Sequence, residues 1–335
     1  MKKIKTGVIG TGHLGSLHVK MLKNIEQAEM VGVYDASPGK AAACANEHGV
    51  KIFPSIEELT AGCDAVSIAV TTTAHFEVAM KCLEAGLDVF IEKPVTATIE
   101  EAEKLVAFAR SKGKIIQVGH IERFNPAILA VEGYHLDPKF IQTDRLAQFN
   151  PRGTDVAVVL DLMIHDIDII LSLVKSEVVK VEASGIAVVS PTTDIANCRI
   201  EFANGAVAVV TASRISQKKM RKMRLFQRDN YITLDFNTGT TEIYRLVSPG
   251  DQTSAAFSFG TIGIGENAKN IVYEQAEAPK VNALEYELAL FVKAVAERTE
   301  PVVSGEDGLK ALRVAHMIGE KIEESVRKIR LSEGV

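Results

Sequence analysis

Apolar and polar positions divide the chain into two regimes. Up to residue 120, short apolar runs alternate with longer stretches in which apolar residues recur three and four apart. That is a strand followed by an amphipathic helix, repeated. IKTGVIG (4–10), AEMVGVYD (28–35), DAVSIAV (64–70), DVFIEKP (88–94) and KIIQVGH (114–120) read as strands. HLGSLHVKML (13–22), HFEVAMKCLEAG (75–86) and TIEEAEKLVAFARSKG (98–113) read as helices. Repeated βα units with short apolar strands predict a doubly wound parallel sheet, a Rossmann-type α/β domain. Beyond ERFNP the period changes to two. KVEASGIAVV, IANCRIEFANGAVAVVTASR, RKMRLFQR and YITLDF are separated by turn signals such as ANG and RDN, the pattern of antiparallel strands. Two helices close the chain, 282–298 and 304–329, the latter opened by Ser304 with Asp307 three residues on. The pattern therefore predicts a Rossmann domain over 1–121. An α+β domain over 122–335 follows, with a large, mainly antiparallel open sheet. Helices on one face of such a sheet leave the other face for a second copy, so a homodimer or homotetramer is expected.

One segment does not fit a simple core helix. VVLDLMIHDIDIILSL (158–173) is apolar and of helical length, yet it carries Asp161, His165, Asp166 and Asp168. At roughly 100° per residue, positions 161, 165, 168 and 172 fall within about 60° of one another. Asp166 lies to the side. Unpartnered charge is costly to bury, so the stripe must face a wet cleft or a tight polar network.

The first turn of the chain carries the other chemical signal. Gly10-x-Gly12-x-x-Gly15 follows a strand and opens a helix. Its glycines allow a tight turn, approach of the backbone to a pyrophosphate, and close helix–strand packing. The anion would sit on the helix N-terminus, among unpaired N–H groups at the positive end of the helix dipole. Asp35 ends the second strand, 20 residues after Gly15, where a carboxylate can bind the adenosine ribose diol. No arginine follows it directly, so NAD is expected over NADP. Lys93 and Pro94 come at the carboxyl end of a strand, where ligands of such sheets bind.

Composition narrows the remaining possibilities. The chain has 335 residues, 47% hydrophobic and 24% charged, with a formal net charge of −5, which disfavours general nucleic-acid binding. Its four cysteines (Cys44, Cys63, Cys82, Cys198) lack zinc-like spacing and read as reduced thiols. The apolar run after the N-terminal lysines is too short for a signal peptide, and no stretch has the length of a membrane span. A cytoplasmic protein is the expectation. Asp161 and His165 one turn apart could share a cation, but further ligands at recognisable spacing are wanting; no metal is expected.

The glycine motif with His18 behind it, the EKP at 92–94 and the D-x-x-x-H at 161–165 resemble the Gfo/Idh/MocA family of sugar and polyol oxidoreductases, over nearly the whole chain. The resemblance implies a catalytic set of Lys93, Asp161 and His165 around the nicotinamide. It implies cofactor contacts from Gly10, Gly12, His13, Leu14, Gly15, Asp35, Thr71, His75, Glu92 and Lys93. Where the family often has a proline, the segment TTTAH (71–75) has threonine. VGHIERFNP (118–126), PRGTDVAVVLDLMIHDIDII (151–170) and ASRISQKKMRKMRLF (212–226) resemble its nucleotide-sugar branch, the UDP-N-acetylglucosamine 3-dehydrogenases. That implies a UDP-N-acetylhexosamine oxidised at its 3-hydroxyl, with Arg123, Asn125 and Arg152 joining Asp161 and His165 as substrate contacts.

In chemical terms, His165 has the ordinary pKa best suited to take an alcohol proton near neutral pH. Asp161 can bond the ring or the sugar, and Lys93 can orient the hydroxyl. Asp168 would support them from behind. Three other readings remain open at this point: a dehydrogenase of a free sugar or polyol, a reductase of a non-sugar substrate, and a non-catalytic NAD-binding regulator. Lys218, Lys219, Arg221, Lys222 and Arg224 read first as a solvated edge strand, and second as partners of a diphosphate.

Overall fold

The computed structural model describes residues 3–150, 156–250 and 257–333. They form two compact units: 1–124 together with 281–313, and 125–280 together with 314–335.

In the first unit the predicted alternation is realised as β1 (Ile4–Ile9), α1 (His13–Asn24), β2 (Ala28–Tyr34), α2 (Pro38–His48), α3 (Ile56–Thr60), β3 (Ala65–Ile68), α4 (His75–Glu84), β4 (Asp88–Glu92), α5 (Ile99–Ser111) and β5 (Ile116–Gly119). All neighbouring strands pair in parallel, in the order β2-β1-β3-β4-β5. An isolated parallel bridge joins Val33 to Ile52 outside β2. A third strand would stand there in the 3-2-1-4-5-6 order of a dinucleotide-binding sheet. The direction of winding reverses between β1 and β3, so the crevice of this unit opens where β1 and β3 end. Helix α5 begins with a reciprocal cap between Thr98 and Glu101, which fixes its start to one residue.

The second unit holds α6 (Pro126–Leu129), β6 (Phe140–Leu146), a π-helical turn over Val159–Met163, α7 (Ile164–Val174), β7 (Val178–Ile186), β8 (Ile195–Phe202), β9 (Val207–Ser213), β10 (Met220–Gln227), β11 (Asn230–Asp235), β12 (Thr240–Val247), β13 (Phe257–Ile262) and β14 (Lys269–Ala276). Among the described residues its nine strands run in the order β13-β14-β12-β11-β10-β6-β9-β8-β7. Every pairing is antiparallel except β6 with β9, so the sheet is mixed and mainly antiparallel. α7 packs on β6, and the π turn on β9.

Two expectations need correction. Arg221, Lys222 and Arg224 of the basic run lie on β10, the fifth of the nine strands described and not an edge, and Lys218 and Lys219 come just before it. Lys222 and Arg224 pair there with Asp235 and Asp144, each at 3.3 Å. The run escaped the core because Met223 and Leu225 fill the buried face of the same strand. Second, the segment assigned to a single domain over 122–335 does not stay together. Helix α8 (Ala283–Glu297) places Leu284, Leu288, Phe291, Val292 and Val295 in one core with Val8, Val19, Leu22 and Phe90 of the first unit. Those positions form one helical stripe, and burying it is what returns the chain to the Rossmann unit. Ser304 and Asp307 cap α9 (Gly305–Glu333) reciprocally, as the sequence indicates.

Candidate active site

In the Rossmann unit the glycine motif shapes the end of β1. Gly10 has φ +88°, and a Cβ there would lie 2.6 Å from the Ala69 carbonyl oxygen just past β3. A Cβ on Gly15 would overlap the Gly10 carbonyl oxygen. Only glycine allows β1, α1 and the β3 end to approach this closely. Gly12 has nothing within 4 Å of where its Cβ would be. It is the N-cap of α1, whose first turn has no side-chain cap and no acidic residue. His13 and Leu14 stand exposed beside it. An open space against uncommitted first-turn N–H groups is what a pyrophosphate requires, so this cradle fits a dinucleotide.

Asp35 borders the same cradle. Its Oδ2 accepts from the Thr11 backbone N–H (2.6 Å) and hydroxyl (3.0 Å), and its Oδ1 from the Ser37 N–H (2.8 Å). The carboxylate is thus held against the glycine loop, with lone pairs left for a ribose diol. Thr71, exposed, is the N-cap residue of a short 3-10 turn over Thr72–Ala74, with no capping bond from its side chain.

His75 is placed differently from a cofactor contact. It is 1% exposed, with Nδ1 2.8 Å from the Pro94 carbonyl and Nε2 3.3 Å from that of Val70. The ring ties the β3 end to the loop after β4, where the Lys93–Pro94 peptide is cis. Burial pushes its pKa down, against the opposing pull of the two carbonyls. The folded protein therefore holds His75 neutral at pH values where the unfolded chain already binds a proton. Stability should fall as pH drops below about 6.5, the ordinary histidine value. His75→Asn should flatten that slope, read as thermal midpoints from pH 7.5 to 5.5. An unchanged slope would assign the effect to another group.

In the second unit, Asp161 lies within the π turn and His165 in the first turn of α7; both are half-buried. The Ile164 N–H bonds to the Val159 carbonyl, five residues back. The extra residue in that turn alters the angular spacing that an ideal helix would give 161 and 165. The predicted stripe also divides. Asp168 is 1% exposed, and Ser172 returns its hydroxyl to the Ile169 carbonyl at 2.7 Å. Asp166, the residue to the side, makes a buried bidentate pair with Arg145 of β6: Nε–Oδ2 2.8 Å and Nη2–Oδ1 2.9 Å. Arg145 is the residue that the sequence reading missed. Its strand hides its alternation, because Thr143 and Arg145 share the buried face with Ile141.

Asp194 is a second such anchor. Fully buried, it accepts from the N–H groups of Val188, Val189 and Ser190 and from the Ser190 hydroxyl. Burial alone would raise its pKa, but these donors outweigh burial and hold the carboxyl well below the usual range. Arg214, whose Nε is 3.9 Å from Asp194 Oδ1, and Thr192 both donate to the Val156 carbonyl. The chain just ahead of the π turn is fixed in this way.

Of the remaining expected contacts, Arg123 sits in a 3-10 turn over Ile121–Phe124, immediately beyond β5. Asn125 accepts from the Ala127 N–H as N-cap of α6 and donates to the Phe236 carbonyl at 3.0 Å. Its amide thus holds backbone at both ends. Arg152 lies outside the described residues. Burial pushes the Cys63, Cys82 and Cys198 thiols up to about 12, which makes them poor nucleophiles. Among the described residues no helix is long and apolar enough to cross a membrane, and no group of three His, Cys, Asp or Glu side chains gathers for a metal.

A glycine cradle at the switch of a parallel sheet, with the Asp35 carboxylate beside it, defines a dinucleotide-binding unit, and an α+β unit follows it. Residues 4–120 match the oxidoreductase family with an NAD-binding Rossmann fold, and 127–240 match the GFO/IDH/MocA C-terminal domain. The chain belongs to the Gfo/Idh/MocA family. It is 36% identical over 330 residues to UDP-N-acetylglucosamine 3-dehydrogenase of Acidithiobacillus ferrooxidans, covering 98% of this chain and 100% of that one. A solved structure of that dehydrogenase superposes with a TM-score of 0.87 at 35% identity, covering 97% and 99% of the two chains. A more distant relative is myo-inositol 2-dehydrogenase of Thermotoga maritima, 26% identical over 98% of this chain and 99% of that one. The relatives act on CH–OH groups, and the cofactor of the family is NAD.

Proposed function

We propose that the protein oxidises the 3-hydroxyl of a UDP-N-acetylhexosamine to a keto sugar. The observation that carries this reading is the full-length likeness to UDP-N-acetylglucosamine 3-dehydrogenase, at 36% identity. Bound NAD supplies the hydride acceptor. His165 takes the hydroxyl proton, Asp161 orients the imidazole or the sugar, and the Lys93 ammonium stabilises the developing oxyanion. The cradle at Gly10–Gly15 holds the pyrophosphate, and Asp35 selects the unphosphorylated ribose. Arg123 and Arg152 supply cations for a diphosphate through bidentate hydrogen bonds.

NADH formation, followed by absorbance with UDP-N-acetylglucosamine, myo-inositol and glucose, tests the reading. Catalytic efficiency should be highest with the UDP-sugar and with NAD over NADP. Arg123→Ala should raise KM more than it lowers kcat, as loss of uniform binding does. Free inositol or glucose matching the UDP-sugar would sink the substrate assignment.

The open face of the large sheet supports assembly of identical copies. Register places Phe140, Phe226, Tyr231, Tyr244, Tyr273 and Phe257 in one row across six strands. Phe226 stacks on Tyr231 at 4.8 Å between ring centroids, and Tyr231 on Tyr244 at 5.7 Å. Phe257 and Phe259 are 66% and 64% exposed. An aromatic strip of this extent on a single chain suits a contact surface between copies. Light scattering should give a dimer or tetramer, and Phe226→Asp with Tyr244→Asp should give monomers. A monomeric wild-type protein would refute the assignment.

A further inference from the structure

Glu92 and His18 form a buried pair directly behind Lys93. His18 is fully buried, on α1 three residues after Gly15, and Glu92 is 9% exposed at the end of β4. His18 Nε2 lies 3.0 Å from Glu92 Oε1, and Glu92 Oε2 accepts from the Lys93 backbone N–H at 3.3 Å. On the other side of the ring, His18 Nδ1 lies 2.7 Å from the Ser67 hydroxyl of β3. The imidazole stands edge-on to Phe90 at 5.4 Å between centroids, and Phe90 edge-on to Phe291 at 5.8 Å. β5 leaves room for the carboxylate by carrying Gly119, where a Cβ would come within 3.0 Å of it. Residues of four elements of one unit (α1, β3, β4 and β5) thus gather around the His18–Glu92 pair, whose carboxylate holds the peptide N–H of Lys93.

Apolar side chains would fill this space without the cost of removing an ionisable pair from water. Packing alone does not account for the pair. We propose that Glu92 and His18 are positioning residues for Lys93: they fix the peptide from which its side chain departs. Because His18 rides on α1, they set that peptide against the helix that carries the dinucleotide cradle. The inference rests on the reading of Lys93 as the group that acts on the substrate hydroxyl. It adds that Lys93's placement depends on a histidine and a carboxylate that touch no substrate.

The test compares Glu92→Gln, which keeps size and one acceptor, with His18→Asn, each alone and combined with Lys93→Met. With UDP-N-acetylglucosamine and NAD, both single variants should lose about 10- to 10²-fold in kcat, the cost of a misplaced catalytic group. KM and NADH affinity by fluorescence should hold within about threefold, since the cradle is intact. In the Lys93→Met background Glu92→Gln should cost almost nothing more, because residues acting through one another are not additive. Additive losses, or wild-type kcat in both single variants, would overturn the proposal. A second readout is independent of turnover. After reductive methylation with ¹³C-formaldehyde, the Lys93 resonance, assigned by its loss in Lys93→Arg, should shift in both variants while other lysines stay put. An unmoved resonance would also overturn it. Full activity in Lys93→Met would instead refute the catalytic reading of Lys93, and the resonance would still report whether the pair positions it.

Discussion

Replacing His165 with alanine should lower kcat by about 10²- to 10⁴-fold, the range for losing a general acid–base group, with NAD affinity nearly unchanged. The two halves of that expectation have different origins. The dinucleotide cradle is built by Gly10, Gly12, Gly15 and Asp35 within the first unit. His165 belongs to α7 of the second. On the proposed reading its removal takes away proton transfer, while the contacts that Gly10, Gly15 and Asp35 make within the first unit stay as they are. The variant should also stay folded, since His165 is half-buried and its neighbours Ile164, Asp166 and Ile167 carry the packing of the helix. Stopped-flow NADH release and NADH fluorescence titration separate chemistry from binding. A variant that keeps most of the wild-type turnover on its best substrate would make the histidine structural.

The Rossmann half was legible because every level of the sequence agrees there. Apolar strands, helix caps such as Thr98 with Glu101, and the glycine motif all specify the same local structure. The second half was less so, for three physical reasons. β6 reads FIQTDRL, and an arginine on its buried face breaks the alternation by which a strand is recognised. Nothing in the sequence announces the π turn at Val159–Met163. Ideal helical spacing therefore describes 161 and 165 only approximately. The return of α8 to the first unit is a matter of which core its stripe finds, and amphipathicity is silent on that choice. The place of Asp35 just past β2, against the glycine loop, was legible from spacing alone, whereas His18 could be noticed only as a histidine following the motif. Its meaning needs Glu92, 74 positions away in sequence, and Ser67 on the other side of the ring. His75 shows the converse. The family pattern marks it as a cofactor neighbour, while its two carbonyl contacts give it work in holding the loop beneath Lys93.

Arg145→Met should destabilise the second unit by about 3–5 kcal/mol, the cost of breaking a buried ion pair from one side. Arg145 and Asp166 side chains are 3% and 4% exposed and meet through two bonds of 2.8 and 2.9 Å. The guanidinium also faces the Phe236 ring at 6.0 Å. Without the arginine, the Asp166 carboxylate keeps its burial and loses the two bonds of the guanidinium. It must then stay ionised with less compensation, take up a proton, or draw water in beneath α7. Each outcome costs free energy and loosens the helix that carries His165 one position earlier. The double change Arg145→Met with Asp166→Leu removes both charges and refills the space. It should recover most of the loss, because a packed apolar pair is often as stable as the ion pair it replaces. Urea unfolding followed by far-ultraviolet circular dichroism measures both variants. Near-wild-type stability for Arg145→Met alone would mean that water reaches Asp166 and that the pair is not sealed. A double variant as unstable as the single would mean that the arginine's stem and its contact with Phe236, not charge balance, hold β6 to α7. If the double variant is stable yet slow, the pair's contribution is to aim His165 rather than to keep the unit folded.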